Sequence, residues 1–128
     1  MDTDVVHSVA HYTEEVLGQE GFRYVSAVVA NCKLLSLELE AQDDTTSLDS
    51  DALTIAAYLH DISTAQHGFE DHQVQSAAMA VEFLQKLALP TAQIEKVEQI
   101  ILAHADAVST EQREEAPLEG LILYDADK

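Results

Sequence analysis

The chain has 128 residues, 47% of them apolar, and sets 24 acidic side chains against 6 basic ones for a formal net charge of -18. That length suits one hydrophobic core, and the apolar share argues for a packed domain over disorder. So negative a surface repels nucleic-acid phosphates and anionic membranes, which excludes both as expected partners.

No apolar run approaches the roughly 18 residues that a membrane helix needs. The start, Met-Asp-Thr-Asp, is acidic where a signal peptide is basic. The sequence therefore predicts a cytoplasmic protein with a single domain over 1–128. Four Gly and two Pro are few for a turn-rich β chain, and abundant Ala and Leu favour helix. Cys32 is the only cysteine, which excludes an internal disulfide.

Taken in chain order, the apolar spacing predicts an all-α bundle of about six helices. The first covers 3–17, with Val5, Val9, Tyr12 and Val16 as its apolar stripe and Gly18 as its stop. His7 and His11 lie opposite that stripe and read as a solvated pair. The second helix runs over 22–41 with Val25, Val28, Cys32, Leu35 and Leu39 on one face. The stretch 42–47 is a polar loop. Asp49 or Ser50 caps a third helix, on which Leu53, Ala56, Ala57 and His60 share a face. A connection through Gly68, with His67 as a loop residue, leads to a fourth helix that starts near 70–71 and ends before Pro90. The fifth covers 91–105, with Ile94, Val97, Ile101 and His104 in register. Pro117 suits the first position of a sixth helix, which carries Leu118, Leu121 and Ile122 toward Asp125 and Asp127.

The chemistry lies in where histidines and aspartates fall. His60 continues an apolar face and is followed at once by Asp61. His104 closes the stripe of another helix, and Asp125 and Asp127 end a third. Such groups at buried helix ends are costly unless paired or bound to a metal. Imidazole with carboxylate suits Zn, Mn, Fe, Ni or Co, and the carboxylates draw the preference toward Mn or Mg. The same residues would also serve as hydrogen-bonded core groups in a purely structural helical protein. The chain has no glycine-rich phosphate loop, no Cys pair for zinc and no nucleophile-elbow context for Ser or Thr.

Four segments together resemble the HD superfamily of metal-dependent phosphohydrolases. Residues 53–62, LTIAAYLHDI, resemble the family's "AAxLHDI" helix. Residues 71–77, DHQVQSA, resemble its "HxxxSA" helix start, and residues 97–104, VEQIILAH, its "VxxIIxxH" helix. Residues 118–128, LEGLILYDADK, resemble its "LEGxILxDADKL" segment. The four occur in the family's order and the likeness spans 22–128.

The resemblance implies an HD-type helical bundle in which His60, Asp61 and Asp127 are metal ligands. Asp127 is favoured over Asp125 by its Ala126-Asp127-Lys128 context. His72 and His104 match positions that bind a second metal or the phosphate in some members. The implied activity is hydrolysis of a small phosphorylated metabolite, a nucleotide foremost, with a divalent metal ion and with Asp61 as proton acceptor. Arg23 is a candidate phosphate contact, although a plain surface role suits it as well. A homodimer remains open.

The sequence departs from the family at one ligand. The family's first ligand is a His in an "HVxxV" pattern, and the matching stretch Tyr24-Val25-Ser26-Ala27-Val28 has Tyr24 there. A phenol with a pKa of about 10 is a poor ligand at neutral pH. The alternative that follows is a degenerate HD domain serving as a binding or regulatory module. Family members also continue with further helix past the last ligand, so an ending at Lys128 implies a minimal member or a truncated sequence.

Overall fold

The computed structural model describes residues 3–42, 48–64, 72–103 and 118–126. Its helices are α1 (Thr3–Gln42), α2 (Ser50–Leu59), α3 (His72–Lys86), α4 (Thr91–Ala103) and α5 (Leu118–Ala126), with no strand among the described residues. None of these helices is long and apolar enough to cross a membrane.

Gly18 divides α1 into two arms. Its φ of 78° and ψ of 177° are non-helical, in a region where a Cβ is strained. A side chain there would meet nothing within 4 Å, so the backbone angle and not space selects glycine. The break falls where the sequence expects a stop, but helix resumes directly and no linker intervenes. The two arms and the four helices after them reproduce the six expected helical segments. On the first arm Val9 is fully buried, with Val5, Tyr12 and Val16 packed against the core. His7 and His11 are exposed, and His11 Nε2 lies 2.9 Å from Glu15. On the second arm Val25, Val28, Val29 and Cys32 are buried.

Helix α2 is the centre of the bundle. Ala52, Leu53, Ile55, Ala56, Ala57 and Leu59 are all buried, and only the edge of Ser50, Asp51, Thr54 and Tyr58 is partly open, so most of the helix must be enclosed by others. It contacts each of the other four described helices. Asp49 is the N-cap, its side chain accepting from Ala52 N at 3.0 Å. Helix α3 ends at Lys86 in a left-handed cap at Ala88 (φ 60°), where Leu89 N reaches Leu84 O at 3.4 Å. Pro90 follows and opens α4, its carbonyl accepting from Ile94 N at 3.1 Å.

Several contacts fix the relative directions of the helices. The rings of Phe22 and Tyr58 lie 6.1 Å apart, which sets the start of the second arm beside the end of α2. Farther along that arm, Cys32, Lys33 and Ser36 face Ser50, Leu53 and Thr54 across a groove. The second arm therefore runs antiparallel to α2. Asp49 N donates to Glu119 Oε2 at 2.8 Å and so joins the N-terminal ends of α2 and α5. At the other end of α5, Asn31 Nδ2 lies 3.4 Å from Ala126 O. Gly120 lets α4 and α5 touch, since a Cβ there would lie 2.5 Å from Ala103 Cβ. On the first arm, Tyr12 stacks on Phe83 of α3 with centroids 4.0 Å apart.

Candidate metal centre

The apolar face Leu53, Ala56, Ala57 that α2 buries carries His60 into the core at the helix C-cap. The His60 side chain is fully buried. Its Nδ1 lies 2.6 Å from Ala57 O. A carbonyl only accepts, so Nδ1 carries the proton. The other ring nitrogen, Nε2, faces Asp61 Oδ2 at 3.3 Å, and the Asp61 side chain is 15% exposed.

This pairing has a chemical consequence. With Nδ1 protonated, neutral imidazole offers a lone pair at Nε2. A lone pair facing a carboxylate oxygen is favourable only with a proton or a cation between them. Two ligands each about 2.1 Å from one cation, at angles between those of an octahedron and a tetrahedron, stand roughly 3.0–3.4 Å apart. The observed separation falls in that interval. The bond from Nδ1–H to a backbone carbonyl is the usual way a ligating imidazole is oriented. His60 and Asp61 thus fit a divalent cation in donor type, spacing and outer support.

The turn after this pair is fastened to α3. Thr64 N donates to Asp61 O at 3.0 Å, and Thr64 Oγ1 donates to the same carbonyl at 2.7 Å. Ser63 N donates to Ser76 Oγ at 3.1 Å, and Ser76 Oγ donates to Ser63 Oγ at 2.9 Å. Both serines are fully buried. His72 opens α3 four residues before Ser76, so its register position is one turn from the Ser63 contact. The first arm of α1 contributes Thr13 Oγ1, which lies 2.9 Å from Val9 O and 3.3 Å from Tyr58 O.

Three helix ends meet near His60: the end of α2, the start of α3, and the start of the second arm of α1. Helix α5 starts beside Asp49, at the opposite end of α2, and ends at Ala126 beside Asn31 of the second arm. Tyr24, at the position of the family's first ligand, is 50% exposed two residues after Phe22. Arg23 is exposed. His67, His104 and Asp127 lie outside the described residues. His72 is the first residue of α3, and Asp125 is the last but one of α5. Ala103, which precedes His104, abuts Gly120 at the start of α5 and not at its end. Among the described residues no three His, Cys, Asp or Glu side chains cluster as a complete metal site.

A second polar cluster was not anticipated from the sequence. Glu119 is buried and receives Asp49 N, while Lys96 Nζ lies 3.2 Å from its other oxygen. Burial alone would raise its pKa, but the N–H of Asp49, its own backbone N–H and the Lys96 ammonium outweigh that and hold it below the ordinary value. Its partners are 70 residues and 23 residues away in the chain, beyond any local pattern.

The family described as "HD domain" matches this chain over residues 6–128. No curated protein and no solved structure matches it.

Proposed function

Since the chain belongs to the HD domain family, whose members are generally metal-dependent phosphohydrolases, we propose that it hydrolyses a small phosphorylated metabolite, with a nucleotide as the first candidate. The observation that carries this reading is the His60 Nε2–Asp61 Oδ2 apposition at 3.3 Å, with Nδ1 tied to Ala57 O. His60, Asp61 and Asp127 would hold the metal. His72 would bind a second metal or the phosphate, a role that the Ser63–Ser76 contact supports by register. His104 is assigned the same role on the family pattern alone.

A divalent cation supplies charge that polarises a phosphoryl oxygen and acidifies the attacking water. The chain's own residues do the rest. The backbone carbonyl of Ala57 fixes the His60 ring, and burial excludes water from it. The Asp61 carboxylate, only partly exposed, accepts the proton of the attacking water. Because the surface is strongly acidic, phosphate approaches productively only where a cation reverses the local field. The acidic surface also favours loading with that cation. We place the protein in the cytoplasm, with neither nucleic acid nor membrane as partner.

The test is titration of chelator-treated protein with Mn, Mg, Ni, Co, Fe and Zn by calorimetry, followed by assay against nucleotides and other phosphate esters. Saturable binding that D61N weakens, together with phosphate release, is the expected result. Metal binding without any hydrolysis would overturn the enzymatic reading. A second reading, a degenerate domain that binds ligands without turning them over, is favoured by one observation, the half-exposed phenol of Tyr24 in place of an imidazole. Gain of hydrolysis by Y24H would select it.

A further inference from the structure

The second arm of α1 carries an apolar stripe that the fold leaves uncovered. Ala27, Ala30, Leu34, Leu37 and Ala41 recur at alternating spacings of three and four, and all are exposed. That alternation is the period of a helix face that packs on another helix. Leu34 is 60% exposed and Leu37 65%, and Tyr24, beside the stripe one turn before Ala27, is 50% exposed. The core-facing residues of the same arm, Val25, Val28, Val29 and Cys32, occupy the other side. Two adjacent open leucines at the centre of such a face mark an interaction surface, not scattered surface residues.

The charges that flank the stripe suit a second copy of the same helix. Lys33 and Glu40 stand on one flank, at the rim of the 290 Å³ groove between α1 and α2, and Glu38 stands on the other. None of the three is paired with a described residue. In an antiparallel pair, Leu34 meets Leu37 of the partner subunit and Lys33 meets Glu40 of the partner subunit. In a parallel pair, the leucines meet their own copies and Lys33 meets Glu38 of the partner subunit. Either orientation brings opposite charges together, and two-fold symmetry makes each pair occur twice. Two chains of net charge -18 repel each other in general, but Arg23 and Lys33 place two of the six basic residues on this one arm. With Glu20, Glu38 and Glu40 the arm carries a net charge near -1, a small part of the total of -18, so repulsion along the stripe is modest.

We propose that this face of α1 binds a second copy of the chain and forms a two-fold homodimer. The assignment is independent of the metal site. Sedimentation equilibrium on the whole protein over a wide concentration range tests it. The wild type sediments as a dimer. The double variant L34E/L37E sediments as a monomer with unchanged helicity by circular dichroism, because both side chains are exposed and outside the core. K33E weakens the dimer by about tenfold or more, and K33E/E38K/E40K restores it. A wild type that stays monomeric throughout would assign the stripe to another partner and overturn the proposal. So would a dimer that survives L34E/L37E, or a triple charge reversal that fails to restore association.

Discussion

Ser76 Oγ donates to Ser63 Oγ at 2.9 Å while accepting from Ser63 N at 3.1 Å, so one hydroxyl on α3 serves both the backbone N–H and the hydroxyl oxygen of a residue two positions after Asp61. This contact ties the start of α3, and with it the register of His72, to the turn that follows the His-Asp pair. It accounts for a serine, and not a third alanine beside Ala77 and Ala80, in the buried face of α3.

S76A removes that hydroxyl and leaves Ser63 N without its acceptor in a fully buried place. The cost is about 1–3 kcal/mol, read as a lower urea midpoint with an unchanged slope. The effect on the site is separate. S76A lowers the affinity for divalent metal even under conditions where the variant is fully folded, which calorimetry at low temperature measures.

D61N keeps the volume of the side chain and removes its charge. Asp61 is partly exposed and faces His60 Nε2 at 3.3 Å, where the amide of D61N can donate to the ring nitrogen in place of the carboxylate contact, so thermal stability without metal changes by less than about 1 kcal/mol. Divalent metal affinity falls by roughly 100-fold or more, since a charged oxygen donor is lost. In the wild type, adding a binding metal raises the melting temperature and a chelator reverses it. D61N shows little of either shift. A large metal-induced stabilisation persisting in D61N would place the cation elsewhere.

Glu119 makes stability depend on acid. Its folded pKa lies below the ordinary value of 4.5, so the ionised form favours the fold. That contribution is complete above the unfolded value and is lost as pH falls through the folded one. Acid titration of the wild type, followed by circular dichroism, shows the loss below about pH 4.5. E119Q removes this component, and its stability is flatter over the same range. At neutral pH, E119A leaves Asp49 N and Lys96 without their acceptor and costs about 2–4 kcal/mol.

Ala88 holds a positive φ of 60° at the end of α3. Glycine adopts that angle without the Cβ penalty. A88G therefore stabilises the protein by about 0.5–1 kcal/mol, a rise of roughly 2–5 °C in Tm. The expected gain is the opposite of the usual loss when alanine is exchanged for glycine in a helix interior, so its sign alone tests the cap.

Much of the bundle was legible because helix burial is periodic. The stripes through Val9, Val25, Cys32, Leu53, Ile94 and Val97 all pack as their spacing indicates. Gly18 marked a break, and Asp49 was one of two cap candidates beside Ser50, both from local chemistry. His60 could be placed in the core because it shares a face with Leu53, Ala56 and Ala57. What stayed hidden depends on partners far apart in the chain. Glu119 looked like an ordinary acid in the first turn of α5, and only the fold brings Asp49 and Lys96 to it. Ser76 entered only as the serine of the HxxxSA likeness, and nothing local showed that it would bond Ser63. Asn31 gave no sign that it would reach Ala126. Periodicity also could not foresee that the leucine stripe of α1 would be left open, because spacing shows a face and not what covers it.

Both arms of α1 close on the same residue. Thr13, five residues before Gly18, bonds the carbonyl of Tyr58; Phe22, four residues after it, lies against the ring of Tyr58. A straight rod of this length could reach Tyr58 from one side only. The elbow at Gly18 turns a single helix into pincers whose jaws grip the last turn of α2, two residues before His60. The shape of the candidate centre is thus governed from some forty residues upstream by one backbone torsion, and any side chain that drives Gly18 back to helical angles would open those jaws without touching a single ligand.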